Sequence, residues 1–348
     1  MGRMRDGTAI YTNLITTDDG VRGLGGSAAV LAAAYGDGKS TLLLQTAQLL
    51  RWVDNHYSKK EYFENPFEVP LYQTTVLWFP SSADHWTAFL PTYSKKCFPK
   101  DNPKKFLLHY HEGDPLTFWE SPAEGVQQPM VIDPELVRLY HDERDLYATV
   151  QREGEGKVNV VFPPQDYHLS GDFVKTIQKM IGLSRARREQ NDKRERYRPI
   201  EEIEVEPHVF YHQFIHRIME EKDSRHLAIV YDDVTRFIQA YQTDVNFHLI
   251  NLFAARWFPA MRKRNVSFYC STHDLALIDW KVLDRFKTYF WFTSSIVSSR
   301  LSDVWRSAVR HLPKGKSIIE DRTLGYGWIP YRRIPNQPPV VITKGLAV

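Results

Sequence analysis

Cysteine is scarce in the sequence, and long apolar runs are missing. The two cysteines, Cys97 and Cys270, stand far apart, which leaves neither a disulfide framework nor the paired cysteines of a structural zinc site. We therefore expect a reducing, intracellular setting. No stretch of about 18 uncharged apolar residues occurs, so no membrane-spanning segment is expected. Residues 1–13 contain no apolar h-region, so no secretory signal is expected either.

Charge of one sign is not in large excess. The 348 residues carry a formal net charge of +3, which is compatible with a nucleic-acid partner but does not establish one. With 43% hydrophobic residues, the chain has enough apolar material for a sizeable core, which excludes disorder over most of its length. The length corresponds to roughly two domains.

Short apolar runs alternate with helix-like segments along the chain. This order is typical of an α/β fold, in which helices flank a mainly parallel sheet. Most of the runs are continuously apolar, as expected for strands buried on both faces. The predicted strands are 28–34, 75–79, 105–109, 158–162, 226–231, 266–271 and 288–293. The predicted helices are 40–55, 172–181, 208–221, 246–264 and 302–311.

Composition changes along the chain suggest three parts. Residues 80–151 are rich in proline, glycine and charge, which is typical of an excursion from a core. We therefore expect 1–80 and 201–348 to form the two halves of one core, with 81–200 as an elaborated insertion. Residues 322–348 resemble a pair of β segments broken by prolines, so a C-terminal β segment is expected.

The most informative segment is Ala28–Leu44, in which an apolar run leads through a glycine-rich turn into an amphipathic helix. Strand, loop and helix in this order form a phosphate-binding loop, because the glycines let backbone N–H groups surround the phosphates and the helix N-terminus adds positive potential. Lys39 is predicted to meet the β- and γ-phosphates, and Ser40 to ligate Mg²⁺. Ala33 stands where the strict pattern has glycine. The alternative is a glycine-rich turn with an incidental Gly-Lys-Ser. The predicted nucleotide-binding residues are Gly36, Asp37, Gly38, Lys39, Ser40 and Thr41.

A second apolar strand, Leu227–Tyr231, ends in two carboxylates. Asp232 is predicted to fix the metal, and Asp233 to act as general base on the attacking water. The alternative is that these aspartates cap the next helix. Glutamate is the usual base at this position, and aspartate is one methylene shorter, so slow hydrolysis is one expectation.

A third strand, Val266–Cys270, is followed by Ser271, Thr272, His273 and Asp274. We expect this strand to lie between the loop strand and the acidic strand, where a polar residue at its tip can contact the γ-phosphate or the attacking water. Thr272 is the first candidate for that catalytic role, with Ser271 and His273 behind it. The alternative is an ordinary polar loop after a strand.

These three segments together resemble the additional-strand class of P-loop ATPases, and within it the HerA/FtsK superfamily of DNA pumps. The resemblance depends on Ala33-x4-Gly38-Lys39-Ser40, on 229–233 and on 271–274. It implies a RecA-like core, ATP and Mg²⁺ as ligands, assembly into a ring that is commonly hexameric, and movement of double-stranded DNA through a central pore. It also implies an arginine that reaches in from a neighbouring subunit, for which Arg300 and Arg306 are the candidates. The double aspartate is similar to viral genome-packaging ATPases.

Two further patterns, one of basic residues and one of histidines, each allow a functional and a purely structural interpretation. Ser184–Arg198 is rich in arginine and lysine, and on a pore loop it would follow a phosphate backbone, but it is equally typical of a solvated helix. His208, His212 and His216 recur every fourth residue and share one helical face, which favours a packed or surface helix over a metal site.

Two functions are predicted: nucleotide binding is argued from the residues, and the role in DNA movement is what the resemblance implies. The first is an ATP-dependent DNA translocase for genome packaging or DNA transfer, located inside the cell or with a viral, membrane or capsid complex. The second is a nucleotide-binding protein with a structural or switching role in a larger assembly, for example a ribosome-associated GTP-binding subunit. The sequence lacks the guanine-specifying Asn-Lys-x-Asp motif, which favours ATP.

Overall fold

Fourteen strands and eight helices are found in the part of the chain that the computed structural model describes. That part comprises residues 2–4, 9–10, 28–33, 36–51, 54–55, 72–81, 87–88, 90–97, 102–114, 132–166, 168, 170–188, 209–221, 225–240, 245–293, 303–313, 316–321 and 325–330. The strands are β1 (Gly2–Met4), β2 (Ala9–Ile10), β3 (Ala28–Ala32), β4 (Asp54–Asn55), β5 (Tyr72–Gln73), β6 (Thr75–Phe79), β7 (Phe106–His111), β8 (Val137–Tyr140), β9 (Val158–Val161), β10 (Leu227–Tyr231), β11 (Val266–Thr272), β12 (Thr288–Phe292), β13 (Lys316–Asp321) and β14 (Gly325–Pro330).

The helices lie between the strands in the alternation that the sequence predicts. They are α1 (Lys39–Arg51), α2 (Leu90–Cys97), α3 (Glu143–Glu153), α4 (Gly171–Arg188), α5 (Val209–Glu220), α6 (Val245–Lys263), α7 (Trp280–Leu283) and α8 (Asp303–Arg310). None of the described helices is long and apolar enough to cross a membrane.

Twelve of the strands form one sheet in the order β2-β1-β14-β13-β12-β3-β11-β10-β6-β9-β7-β8. The eight strands from β12 to β8 run parallel to one another. β10 and β6 are buried along their whole length, which agrees with their continuously apolar sequences, because both faces of a parallel sheet are covered by helices. The predicted α/β fold with a mainly parallel sheet is confirmed.

The position of β11 is the feature that matters most for function. It pairs with β3 on one side and with β10 on the other, with Thr272 opposite Ala32 and Cys270 opposite Tyr231. An additional strand therefore separates the loop strand from the acidic strand, as the sequence predicts. This strand order is that of the RecA-like core that the sequence predicts.

The segment interpreted as an insertion contributes to the main sheet. β7 and β8 extend the sheet beyond β9, and α2, β8 and α3 are elements that the sequence pattern did not predict. β8 is only four residues long and half-exposed, which explains its weak apolar signal. The division of the chain at residues 80 and 200 stays a prediction.

The opposite side of the sheet is antiparallel. β13 and β14 form a hairpin that pairs with β12, and β1 then pairs with β14. The predicted C-terminal β segment is confirmed by β14, whereas its hairpin partner β13 lies before residue 322, so the predicted pair within 322–348 is met by one described strand. Residues 331–348 lie outside the described residues.

Two apolar clusters fill the faces of the sheet. One contains the face with Ile229, Phe268 and helices α5 and α6, and the other contains the face with Val230, Tyr269 and helix α1. Helices on both faces leave the two ends of the parallel strands as the edges at which polar groups can collect.

At the amino edge of the sheet, a buried histidine links three neighbouring strands. His226 precedes β10, and its ring hydrogen-bonds to Thr74 Oγ1 at 2.9 Å and to Ser267 Oγ at 2.8 Å. Burial lowers the pKa of His226 to about 3, so the ring is neutral in the folded protein at neutral pH. Burial also lowers the pKa of His109, in β7, to about 4.

The unfolding free energy is expected to fall as the pH is lowered from 7 to 5. Below the ordinary histidine pKa of 6.5, His226 takes up a proton in the unfolded chain but stays neutral in the fold, so stability is lost as the pH falls. The contribution of one such histidine is about 1.4 kcal/mol per pH unit below pH ~6. Urea unfolding of wild type and His226→Gln at pH 7, 6 and 5 should show a shallower slope in the variant.

His141→Gln is the matched control for this experiment. Its exposed ring contacts Glu112, and this carboxylate raises the pKa of His141, so below pH ~6 the residue is protonated in both the folded and unfolded states. It should not change the slope in that range. A slope unchanged by His226→Gln would contradict the assignment of a neutral buried ring.

Candidate nucleotide-binding site

Three strand ends meet at the carboxyl edge of the sheet. The backbone N–H of Ala33, after β3, donates to Thr272 O at the end of β11 (3.2 Å). The N–H of Asp232, after β10, donates to Phe79 O at the end of β6 (3.1 Å). The loop segment and the acidic segment are therefore held on either side of the end of β11, as expected where parallel strands end together.

The loop between β3 and α1 contains two glycines with a left-handed backbone. Gly36 and Gly38 have positive φ angles of 80° and 91°, which residues with a side chain rarely adopt. α1 begins at Lys39, so the first turn of the helix faces the same edge as the strand ends. Residues 34 and 35 lie outside the described part of the chain.

Lys39 is buried at this edge, with 7% of its surface exposed. Its Nζ donates to Ala33 O at 2.7 Å and lies 3.0 Å from His273 Nδ1. Lysine has no acceptor, so the contact with the ring requires Nδ1 to accept a hydrogen bond. The ammonium is thus held between the end of its own loop strand and the segment after β11.

Asp232 is also buried, with 4% exposed, and its carboxylate faces the phosphate loop. Its Oδ1 accepts a hydrogen bond from Ser271 Oγ at 2.6 Å, and Ser40 makes a side-chain hydrogen bond to the same carboxyl. Burial raises the pKa of Asp232, whereas the two serine hydroxyls and the charge of Lys39 lower it. The side chains of Lys39, Ser40 and Asp232, which the sequence predicts to share a site, therefore lie in one cluster.

Asp233 has a different environment from its neighbour. Its backbone is left-handed, with φ 53° and ψ 75°, and its N–H donates to Ser271 Oγ at 2.8 Å. Its Oδ1 accepts from Thr235 Oγ1 at 2.6 Å and caps the short helical turn 234–236, while its Oδ2 lies 3.7 Å from His273 Nε2. The capping alternative thus describes one oxygen of Asp233, and it does not describe Asp232.

The residues after β11 differ in what they contact. Thr272 Oγ1 donates to Asp274 O at 2.9 Å and lies 3.1 Å from Thr235 Oγ1, so its hydroxyl faces the neighbouring turn. Ser271 contacts Asp232, and His273 contacts Lys39. The catalytic role of Thr272 stays a prediction. Alternation along an extended chain places Ser271 and His273 on the same side and Thr272 on the other, and this signal was available in the sequence.

The oxygen ligands in the cluster suit a magnesium ion. Mg²⁺ is usually bound by one or two protein oxygens together with substrate phosphates and waters, and the adjacent oxygens of Ser40 and Asp232 match that set. No group of three or more histidine, cysteine or acidic residues that could hold a metal occurs among the described residues.

The remaining predicted residues are two from the loop and α1 and two arginines in the C-terminal half of the chain. Thr41 is buried in the first turn of α1, and Asp37 is half-buried in the loop. Arg300 lies outside the described residues, and Arg306 pairs with Asp303 within α8. Whether either arginine reaches a neighbouring subunit stays a prediction.

The histidines of α5 form part of the core packing. His212 is buried, is hydrogen-bonded through Nε2 to Phe237 O at 2.9 Å, and stacks on the Phe237 ring. His216 lies 3.1 Å from Glu220 on the same helix. The packed-helix interpretation therefore holds for these two residues, and His208 lies outside the described part of the chain.

Replacing Ser271 by alanine is expected to destabilise the fold by about 1–3 kcal/mol, because it removes the acceptor of the Asp233 N–H and one of the two serine hydroxyls that donate to the buried Asp232 carboxyl. Chemical denaturation of wild type and variant measures the difference. Ser307→Ala, at an exposed position of α8, should change the unfolding free energy by less than about 0.5 kcal/mol. Equal stability of the two variants would show that the Ser271 contacts contribute nothing measurable.

No protein-family model and no curated protein matches the chain. Among solved structures, it is similar to the genome packaging NTPase B204 from Sulfolobus turreted icosahedral virus 2 in complex with ATP-gammaS, at 11% identity and a TM-score of 0.40, over 89% of this chain and 98% of that chain. It is also similar to the pCW3 conjugation coupling protein TcpA in its monomer form with ATPgS, at 10% identity and a TM-score of 0.35, over 94% of this chain and 69% of that chain. A third similar structure is EssC (ATPases 2 and 3) from Geobacillus thermodenitrificans, at 10% identity and a TM-score of 0.34, over 90% of this chain and 40% of that chain. In this chain, β11 separates β3 from β10, which agrees with the predicted fold independently of these similarities.

Proposed function

We propose that the protein binds ATP with Mg²⁺ at the carboxyl edge of the sheet and hydrolyses it. The observation that carries this proposal is the shared cluster of Lys39 and Ser40, from the start of α1, with Asp232, from the end of β10. A buried cation, a hydroxyl and a buried carboxylate at the N-terminus of a helix provide complementary ligands for a triphosphate and its metal.

Each residue has a distinct task in the proposed reaction. The backbone amides from Gly36 to Lys39 surround the phosphates, and the Lys39 ammonium bonds to the β- and γ-phosphate oxygens. Ser40 and Asp232 hold Mg²⁺, which when bound neutralises charge that develops on the phosphates. Asp233 accepts the proton of the attacking water.

The two oxygens of Asp233 are not equivalent for this task. Oδ1 is engaged by Thr235, which fixes the orientation of the carboxylate. Oδ2 faces the partly exposed side of the site, next to His273, and is the oxygen that would accept a proton.

The finer proposal is that hydrolysis drives the movement of double-stranded DNA through a homo-oligomeric ring. Its support is the resemblance of the three motifs to DNA pumps, together with the basic segment Ser184–Arg198, which begins in the last turns of α4. Such a segment can follow a phosphate backbone without reading sequence. An arginine from the next subunit, with Arg300 as the candidate, would stabilise charge in the transition state.

A nucleotide-binding switch is the second candidate, and one observation favours it. Asp233 already caps the 234–236 turn, and a carboxylate with this local structural role can be present without acting as a base. A switch of this kind retains nucleotide and turns it over slowly. The two candidates therefore share the binding site and differ in turnover.

Lys39→Ala is expected to weaken ATP binding by about 10²-fold, from the loss of charge-assisted hydrogen bonds, and to abolish hydrolysis. Isothermal titration with a non-hydrolysable ATP analogue and Mg²⁺ measures binding, and phosphate release measures turnover. Lys104→Ala, at an exposed lysine paired with Glu135, is the control and should behave as wild type.

The same binding and phosphate-release assays, carried out with and without double-stranded DNA, distinguish the translocase from the switch. DNA stimulation is expected of a translocase, and tightly retained nucleotide with negligible turnover would instead indicate the switch.

Asp233→Asn is expected to lower kcat by about 10²-fold or more and to leave nucleotide affinity within about threefold, because only the base is removed. Asparagine also caps helices and tolerates positive φ, so the local structure should persist. Asp142→Asn, at the N-cap of α3, is the matched control and should not change kcat. Unchanged turnover in Asp233→Asn would exclude this residue as the base.

A further inference from the structure

Lys39 and Asp233 are connected through a single imidazole. The His273 ring lies between them, with Nδ1 at 3.0 Å from Lys39 Nζ and Nε2 at 3.7 Å from Asp233 Oδ2. Because Nδ1 accepts from the ammonium, the ring proton is on Nε2, the nitrogen that faces the carboxylate. The predicted phosphate-binding lysine and the predicted base thus have a common neighbour.

The number of hydrogen bonds that the Lys39 ammonium can donate limits how many partners it can have at once. An ammonium has three donors, and contacts with Ala33 O and His273 Nδ1 use two of them. Bonds to both a β- and a γ-phosphate oxygen need two donors. At least one of the present contacts must therefore be given up when a triphosphate binds.

Of these two contacts, we expect the one with His273 to be given up. Ala33 O belongs to a fully buried backbone position whose N–H is fixed by Thr272 O. The His273 side chain is 22% exposed and lies just beyond the end of β11. Its ring also makes a hydrogen bond to the Ala33 backbone, and a change of rotamer would break this bond together with the contact to Lys39. Phosphate oxygens are also stronger acceptors for an ammonium than a neutral imidazole, since the bond is charge-assisted at both ends.

We propose that His273 is a positioning residue that competes with the β- and γ-phosphates for the Lys39 ammonium, and that it is displaced toward Asp233 when a triphosphate binds. This inference rests on the proposed nucleotide site. In the competition, every bond that His273 makes to Lys39 subtracts from nucleotide affinity. The histidine therefore sets how readily the loop releases nucleotide. When nucleotide binds, the displaced ring moves closer to the Asp233 carboxylate, so the surroundings of Asp233 depend on whether the loop is occupied.

Removing the His273 side chain is expected to strengthen nucleotide binding, whereas removing a side chain inside a binding site usually weakens it. His273→Ala should bind a non-hydrolysable ATP analogue with Mg²⁺ about tenfold more tightly than wild type, which corresponds to the loss of one competing hydrogen bond to a charged group. His273→Asn should bind with about wild-type affinity, because the asparagine amide oxygen occupies nearly the position of Nδ1 and accepts from Lys39. Isothermal titration measures both.

Further variants separate this inference from the function on which it rests. His273→Leu keeps the side-chain bulk but has no hydrogen-bond acceptor, so it should also bind the analogue more tightly. It serves as the second variant if His273→Ala folds poorly. His141→Ala, at an exposed histidine after β8, should not change affinity. If Lys39→Ala abolishes binding while His273→Ala and His273→Leu bind as wild type or more weakly, the competition is refuted and the nucleotide site stands. If Lys39→Ala binds normally, the nucleotide site itself is wrong.

Discussion

Two opposite charges, the ammonium of Lys39 and the carboxylate of Asp232, are both buried at one edge of the sheet. Either charge would be costly in a low-dielectric interior without hydrogen-bonding partners. The cation is held by a backbone carbonyl and an imidazole, and the anion by two serine hydroxyls. All of these partners come from the ends of β3 and β11 or from the start of α1, so the site exists only while those elements keep their order.

The additional strand is what makes that arrangement possible. Without β11 between β3 and β10, the loop and the acidic segment would be direct neighbours, and neither Ser271 nor His273 could stand between them. β11 and the residue that follows it supply one side chain to each aspartate: Ser271 contacts Asp232, and His273 lies next to Asp233. The strand thus separates the two halves of the site by one strand spacing, roughly 5 Å, and fills the gap with polar groups.

Much of the fold and part of the site could be predicted from the sequence for a simple physical reason. Continuously apolar runs define buried parallel strands, and the ends of such strands meet at one edge, so the proximity of Ser40 and Asp232 follows from their places in the chain. The short, half-exposed β8 gave no such signal. The left-handed backbone of Asp233 and the choice of His273 as the neighbour of Lys39 depend on contacts between distant segments, which no local pattern encodes.

The opposite edge of the sheet has a consequence for how the site could respond to a ligand. There the His226 ring, just before β10, makes buried hydrogen bonds to Thr74, just before β6, and to Ser267, near the start of β11. These three strands are therefore linked to one another near their amino ends. A displacement caused by a ligand at the carboxyl ends would then be smallest near His226 and largest in the loops that follow β10 and β11.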